Sequence, residues 1–169
     1  MSRWQKQQLL LIILLLILVL LFQLLKAYCS SFYGSELWDL GNGNINTLCT
    51  AWRQALRRVW KLPYNCHKII IDVLSDSLSI FDLLCKRSLM FARSCLSSDN
   101  NLVKFVSHNA VFYDGMRSCM RRNVQLCCER FSMTLADATS SLFSVRAIDD
   151  MCRDKVDDDV IRNVERIIE

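Results

Sequence analysis

The sequence predicts an all-α fold, an apolar N-terminal helix followed by a small irregular helical bundle. Three observations point there. With one Pro and four Gly in 169 residues, the chain has too few turn formers for an all-β or many-turned α/β architecture. After Lys26, apolar residues recur at three- and four-residue spacing in a succession of stretches, which is the period of amphipathic helices. The segment from Leu9 to Phe22 is apolar without interruption. A composition of 52% hydrophobic and 22% charged residues argues against a wholly disordered chain. Much of the apolar content lies in that one run, so a core has to come from residues after Lys26.

Residues 1–26 form the first unit, an apolar helix that reads as a membrane anchor. Leu9 to Leu25 is seventeen residues long and is broken only by Gln23. As a helix it spans about 26 Å, slightly short of a hydrocarbon core of about 30 Å. Each central Leu or Ile favours insertion by roughly 0.3–0.6 kcal/mol, which outweighs one Gln near the end. An uncleaved anchor, a cleaved signal peptide and a Leu-rich start with no membrane role all stay open. Leu25-Lys26-Ala27-Tyr28-Cys29 offers a poor cleavage site, which favours the anchor over the signal peptide. The chain is expected at a membrane if the helix inserts and inside the cell otherwise. Arg3 and Lys6 before the run, and Lys26, Arg53, Arg57 and Arg58 after it, orient it only weakly.

Residues 27–131 form the second unit. Tyr28 to Leu40 is aromatic and Ser-rich, and Gly41-Asn42-Gly43-Asn44 is a turn. Asn46 or Thr47 would cap a helix with Leu48, Trp52, Ala55, Leu56, Val59 and Trp60 on its apolar side, stopping near Pro63. A shorter helix covers Lys68 to Leu74, a polar break follows at Ser75-Asp76-Ser77, and Ser79 with Asp82 forms a capping pair. Ile80, Leu83, Leu84, Phe91 and Cys95 make the stripe of the next helix, ended by Ser97-Ser98-Asp99-Asn100-Asn101. Leu102, Phe105 and Val106 mark another. Asp114-Gly115 separates it from a helix using Met116, Cys119, Met120, Val124, Cys127 and Phe131. Residues 132–169 form an acidic tail of one or two helices, with Val160, Val164 and Ile167 or Ile168 as a modest stripe.

Charge is unevenly spread. Residues 51–131 hold thirteen Lys/Arg against six Asp/Glu, and residues 134–169 hold five against nine. A basic helical body suits nucleic acid or an anionic membrane surface. Arg53, Arg57 and Lys61 recur every four residues, along one helix side beside Trp52, Leu56 and Trp60. That row is the candidate contact for RNA or DNA phosphates, its alternative being a solvated edge beside a core stripe. Nine cysteines are an odd number without framework spacing, and Cys85 and Cys95 sit in helical apolar patterns, which points to reduced thiols.

Four stretches carry a family likeness. They are Leu25 to Leu40, which includes Phe32-Tyr33-Gly34-Ser35-Glu36-Leu37-Trp38; Trp52-Arg53-Gln54-Ala55-Leu56-Arg57-Arg58-Val59-Trp60-Lys61-Leu62-Pro63-Tyr64 with His67; Ile80-Phe81-Asp82-Leu83-Leu84-Cys85-Lys86-Arg87-Ser88-Leu89-Met90-Phe91; and Arg122-Asn123-Val124-Gln125-Leu126-Cys127-Cys128-Glu129-Arg130-Phe131. In this order they resemble the region downstream of the palm in non-LTR retrotransposon reverse transcriptases, over about residues 25 to 131. The family usually has Gly where Lys61 stands, and the Leu9 to Phe22 run does not resemble palm sequence. The resemblance implies a thumb-and-linker segment that helps hold template and primer. It carries over no nucleotide-handling residue.

Catalytic and metal motifs were weighed against this background. Polymerase chemistry needs palm carboxylates that hold two metal ions. Ala147-Ile148-Asp149-Asp150 imitates the aromatic-x-Asp-Asp turn but lacks the aromatic, follows the thumb-like blocks and has helix-forming neighbours. Asp154 to Glu165 has the end residues of a calcium loop, but Asp159 replaces its glycine. Cys66-His67, His108 and Cys127-Cys128 contain no Cys-x-x-Cys pair. Either His could serve as a base, but no Ser or Cys beside it has a recognisable nucleophile setting. The expectation is a non-catalytic chain without cofactor or metal. A single-pass membrane protein with a helical interaction domain is the alternative.

Overall fold

A computed structural model describes residues 3–29, 31–75, 79–113, 117–140 and 145–168. The described residues form eight α-helices, one short 3-10 turn at Ser35–Leu37 and no strand. The helices are α1 (Arg3–Cys29), α2 (Asn44–Val59), α3 (Lys68–Ser75), α4 (Ile80–Leu96), α5 (Asn101–Phe112), α6 (Cys119–Phe131), α7 (Leu135–Thr139) and α8 (Val145–Ile168). The all-α expectation therefore holds, with a long apolar helix ahead of a bundle of shorter ones.

Local chemistry explains most helix starts. Ser79 Oγ accepts the Asp82 N–H at 3.1 Å, so the expected capping pair opens α4. Asn100 Oδ1 accepts the Leu102 and Val103 N–H groups to open α5. Ser118 caps α6, and Thr134 with Asp137 forms a reciprocal capping box on α7. Helix α2 starts at Asn44, earlier than the expected Asn46 or Thr47. Asn42 Oδ1 accepts the Asn44 N–H at 3.0 Å, so an Asx turn bends the chain into the helix sooner.

Helix α4 is the central element, packed against α5, α6, α7 and α8 as well as α2. Ile80, Leu84, Cys85, Leu89 and Ala92 meet Val124, Cys127 and Phe131 of α6, with Leu40, Ile45, Ala138 and Ile148 completing the core. Its buried face is turned relative to the expected stripe. Leu83, Phe91 and Cys95 are only half-buried, whereas Asp82 and Ser88 are buried. Asp82 tolerates burial because Arg130 Nε and Nη2 donate to its two oxygens at 2.8 and 3.3 Å, and Ser79 Oγ donates at 2.6 Å.

Polar ties join distant segments to this core. Buried Asn123 accepts the Leu40 N–H at 2.9 Å and donates to the Trp38 carbonyl at 2.7 Å. Its neighbour Arg122 pairs with Asp39 at 2.7 Å. Arg87 donates to the Ser31 and Phe32 carbonyls, and Lys86 pairs with Asp149 of α8.

Helix α5 reverses the expected burial. Leu102, Phe105 and Val106 are 69%, 65% and 56% exposed, while Ser107 and Val111 face inward. The small Ser107 admits close approach to α4 and α6, and nothing among the described residues covers the other side. Asp76, Ser77, Asp114, Gly115 and Met116 lie outside the described residues, as do the side chains of Val160, Val164, Ile167 and Ile168.

Candidate nucleic-acid interface

Helix α2 carries the three cations singled out from sequence. Leu56 is fully buried on its inner face against Phe22 of α1 and Ile71 of α3, and Arg53 and Arg57 lie half-buried at its edge. Arg53 Nη2 donates to Thr50 Oγ1 at 3.2 Å. Arg57 Nη2 donates to the Cys66 carbonyl at 3.1 Å, and its guanidinium lies 5.9 Å from the Tyr64 ring centre. Arg57 thus folds the loop after α2 back onto the helix, which leaves less of it for an outside ligand.

Lys61 does not continue the row, which corrects the four-residue expectation. Helix α2 ends at Val59, and Lys61 adopts a left-handed φ of 50°. The Leu62 N–H donates to the Arg57 carbonyl at 2.8 Å and the Lys61 N–H to the Arg58 carbonyl at 3.3 Å. This is a Schellman cap, with Lys61 in the position that Gly normally fills and Leu62 packed near Leu56. Pro63 follows and prevents the helix from resuming. Periodicity places residues on a face only while the helix lasts, and here it stops two residues before Lys61.

Two further exposed cations, Arg58 and Lys68, lie outside the four-residue row. Their signal was the absence of any Asp or Glu from Leu40 to Ile71. Lys68 opens α3 and, with Arg53, acts on the charge of Cys49. Burial still dominates there and pushes the Cys49 thiol up from its ordinary value. The site offers donors and positive charge, suited to phosphate oxygens.

The rejected motifs also have places. Asp149 and Asp150 lie on α8, where successive residues point about 100° apart, and Asp149 is paired with Lys86. Asp154 and Glu165 belong to the same helix, not to a loop. Exposed His108 packs 4.7 Å from the Phe112 ring centre on α5. Cys127 is buried with its sulfur 3.6 Å from the Cys85 carbonyl. Among the described residues no three His, Cys, Asp or Glu side chains converge as a metal site. Comparison with family models, curated proteins and solved structures finds no match to this chain.

Proposed function

We propose that this chain is a non-catalytic, thumb-and-linker-like piece of a non-LTR retrotransposon reverse transcriptase, with residual contact to RNA or DNA phosphates through Arg53, Arg57 and Lys61. One observation carries the reading. The position where the family prefers Gly is the one residue of the α2 exit that is left-handed, so the sequence departure at Lys61 keeps the turn that a glycine would make. The polar ties add support, since Asp39–Arg122 and Asn123 with Trp38 and Leu40 join the first and fourth resembling stretches. Arg87 joins the third to the first.

A salt titration of duplex binding by the full chain in detergent tests the contact. Alanine at Arg53, Arg57 and Lys61 is expected to make the logarithmic salt slope shallower by about 0.9 per cation, or about 2.7 in all. Equal slopes for parent and variant would leave only ancestry. No primer extension is expected with Mg²⁺ or Mn²⁺. Extension abolished by Asp149→Asn with Asp150→Asn would overturn the non-catalytic reading.

A second reading rests on α1, whose residues Leu9 to Ile17 are all exposed. A continuous apolar helix without cover in its own fold fits a single-pass anchor bearing a helical interaction domain. Retention of the full chain in membranes after alkaline carbonate extraction is expected, and release without detergent counts against it.

A further inference from the structure

The end of α1 is built differently from its start. Phe22 is buried against Leu56 and Ile71, with Leu25, Val59, Trp60 and Leu62 around them. The Phe22 and Trp60 ring centres are 5.7 Å apart, and Lys26 reaches back over Phe22 with its ammonium 5.3 Å from the ring centre. On the side that meets α2 and α3 the free apolar surface of α1 therefore ends at Phe22, while Leu24 and Tyr28 beyond it stay exposed outside the cluster. Leu9 to Leu21 is thirteen residues, about 20 Å of helix and too short to span a core of about 30 Å. Counting from Trp4, which is 65% exposed, to Phe22 gives about 28 Å, a length that a thin bilayer accepts. Trp4 then marks one interface, and Phe22 with Trp60 marks the other, the levels at which Trp is enriched.

This geometry sets the corner formed by α1, α2 and α3 at headgroup level. The corner is predominantly basic in sequence: no Asp or Glu occurs before Glu36 or between Leu40 and Ile71, and α3 carries one acid, Asp72. Arg58, Lys61 and Lys68 are exposed and make no ion pair among the described residues. The Arg57 Nε and Trp60 Nε1 atoms at the same corner are buried donors without a hydrogen-bond partner. The exposed cations Arg58, Lys61 and Lys68 outnumber the one acid of the corner, and with an apolar helix leaving beside them they suit an acceptor-rich anionic surface.

We infer that this corner binds the headgroups of anionic lipids, through Arg58, Lys61 and Lys68 around the Phe22–Trp60 contact. The inference rests on the membrane-anchor reading of α1. It converts that helix from a bare tether into one whose exit holds the bundle against an anionic leaflet.

The test uses the full chain reconstituted in vesicles of acyl-brominated phosphatidylcholine mixed with phosphatidylglycerol, where tryptophan quenching reports which lipid occupies the protein surface. The parent is expected to prefer phosphatidylglycerol. Arg58→Gln, Lys61→Gln and Lys68→Gln together should lower that preference by about fivefold per cation, on the order of a hundredfold at low salt. Arg58→Lys, Lys61→Arg and Lys68→Arg should retain it. Equal selectivity of parent and Gln variant overturns the inference. If the triple Gln variant loses the parent's helical circular dichroism, Lys68→Gln alone must still lower the preference about fivefold; no change overturns it. Lipid preference kept while duplex binding is lost would assign the cations to nucleic acid and also overturn it. If alkaline carbonate strips the parent from pure phosphatidylcholine vesicles, the anchor reading fails by itself. Sedimentation with phosphatidylglycerol against phosphatidylcholine vesicles then scores the headgroup contact separately, and equal sedimentation overturns it.

Discussion

The two apolar clusters of this molecule are held together by different means. The cluster around α4 and α6 draws buried residues from Leu40 to Ile148 and is crossed by the charge-assisted Arg130–Asp82 hydrogen bonds and by the neutral ones of Asn123. The cluster at the end of α1 has three buried members, Phe22, Leu56 and Ile71, and beside it the Arg57 Nε and Trp60 Nε1 donors are buried without a partner. The larger cluster is thus tied across several helices by polar bonds, and the smaller one rests mainly on apolar contact.

The largest effect is expected from Arg130→Ala. It leaves the Asp82 carboxylate, 1% exposed, without its cation, which costs about 3–5 kcal/mol. Urea unfolding of the bundle should shift accordingly, and an unchanged midpoint would mean that the large cluster does not depend on its polar ties.

Ile71→Ala is expected to cost less, about 2–3 kcal/mol, because a small cluster collapses around the gap more readily. Amide exchange should quicken in α2 and α3 with little change in α4 and α6. Uniform acceleration would merge the two clusters into one cooperative unit.

Acid should separate the regions further. The Arg122 guanidinium hydrogen-bonded to Asp39 holds its carboxyl below the ordinary value of 3.8. The contribution of this pair is complete above about pH 4 and is lost as pH falls through the lowered folded value. Because the pair is partly exposed, solvent screening keeps its contribution small. Asp39→Asn should remove that part of the acid sensitivity and leave the α1–α3 corner unchanged.

The smallest effect has the opposite sign. Lys61→Gly should stabilise the α2 exit by about 0.5–1 kcal/mol, the left-handed penalty less the added freedom of the unfolded chain. A destabilised Gly variant would show that the Lys61 side chain, not the turn, matters most at this point.

Sequence alone determined the helices. Ser79, Asn100, Ser118 and Thr134 sit where their side chains satisfy the first free N–H groups, and such signals act over three or four residues whatever surrounds them. The length of the apolar run before Lys26 and the basic character of residues 40–71 were equally legible, because composition needs no fold. Tertiary structure decided which faces were covered. The stripe of Leu102, Phe105 and Val106 announced an apolar side of α5 but not whether any element would cover it, and Ser107 and Val111 took the inner side. It also decided that Lys61 leaves the row of Arg53 and Arg57, and that Asp82 and Asn123, polar by type, belong inside. Burial of a polar group depends on a partner such as Arg130 or the Leu40 backbone, which is 48 or 83 residues away along the chain. No local pattern records a partner that only the packed chain brings near.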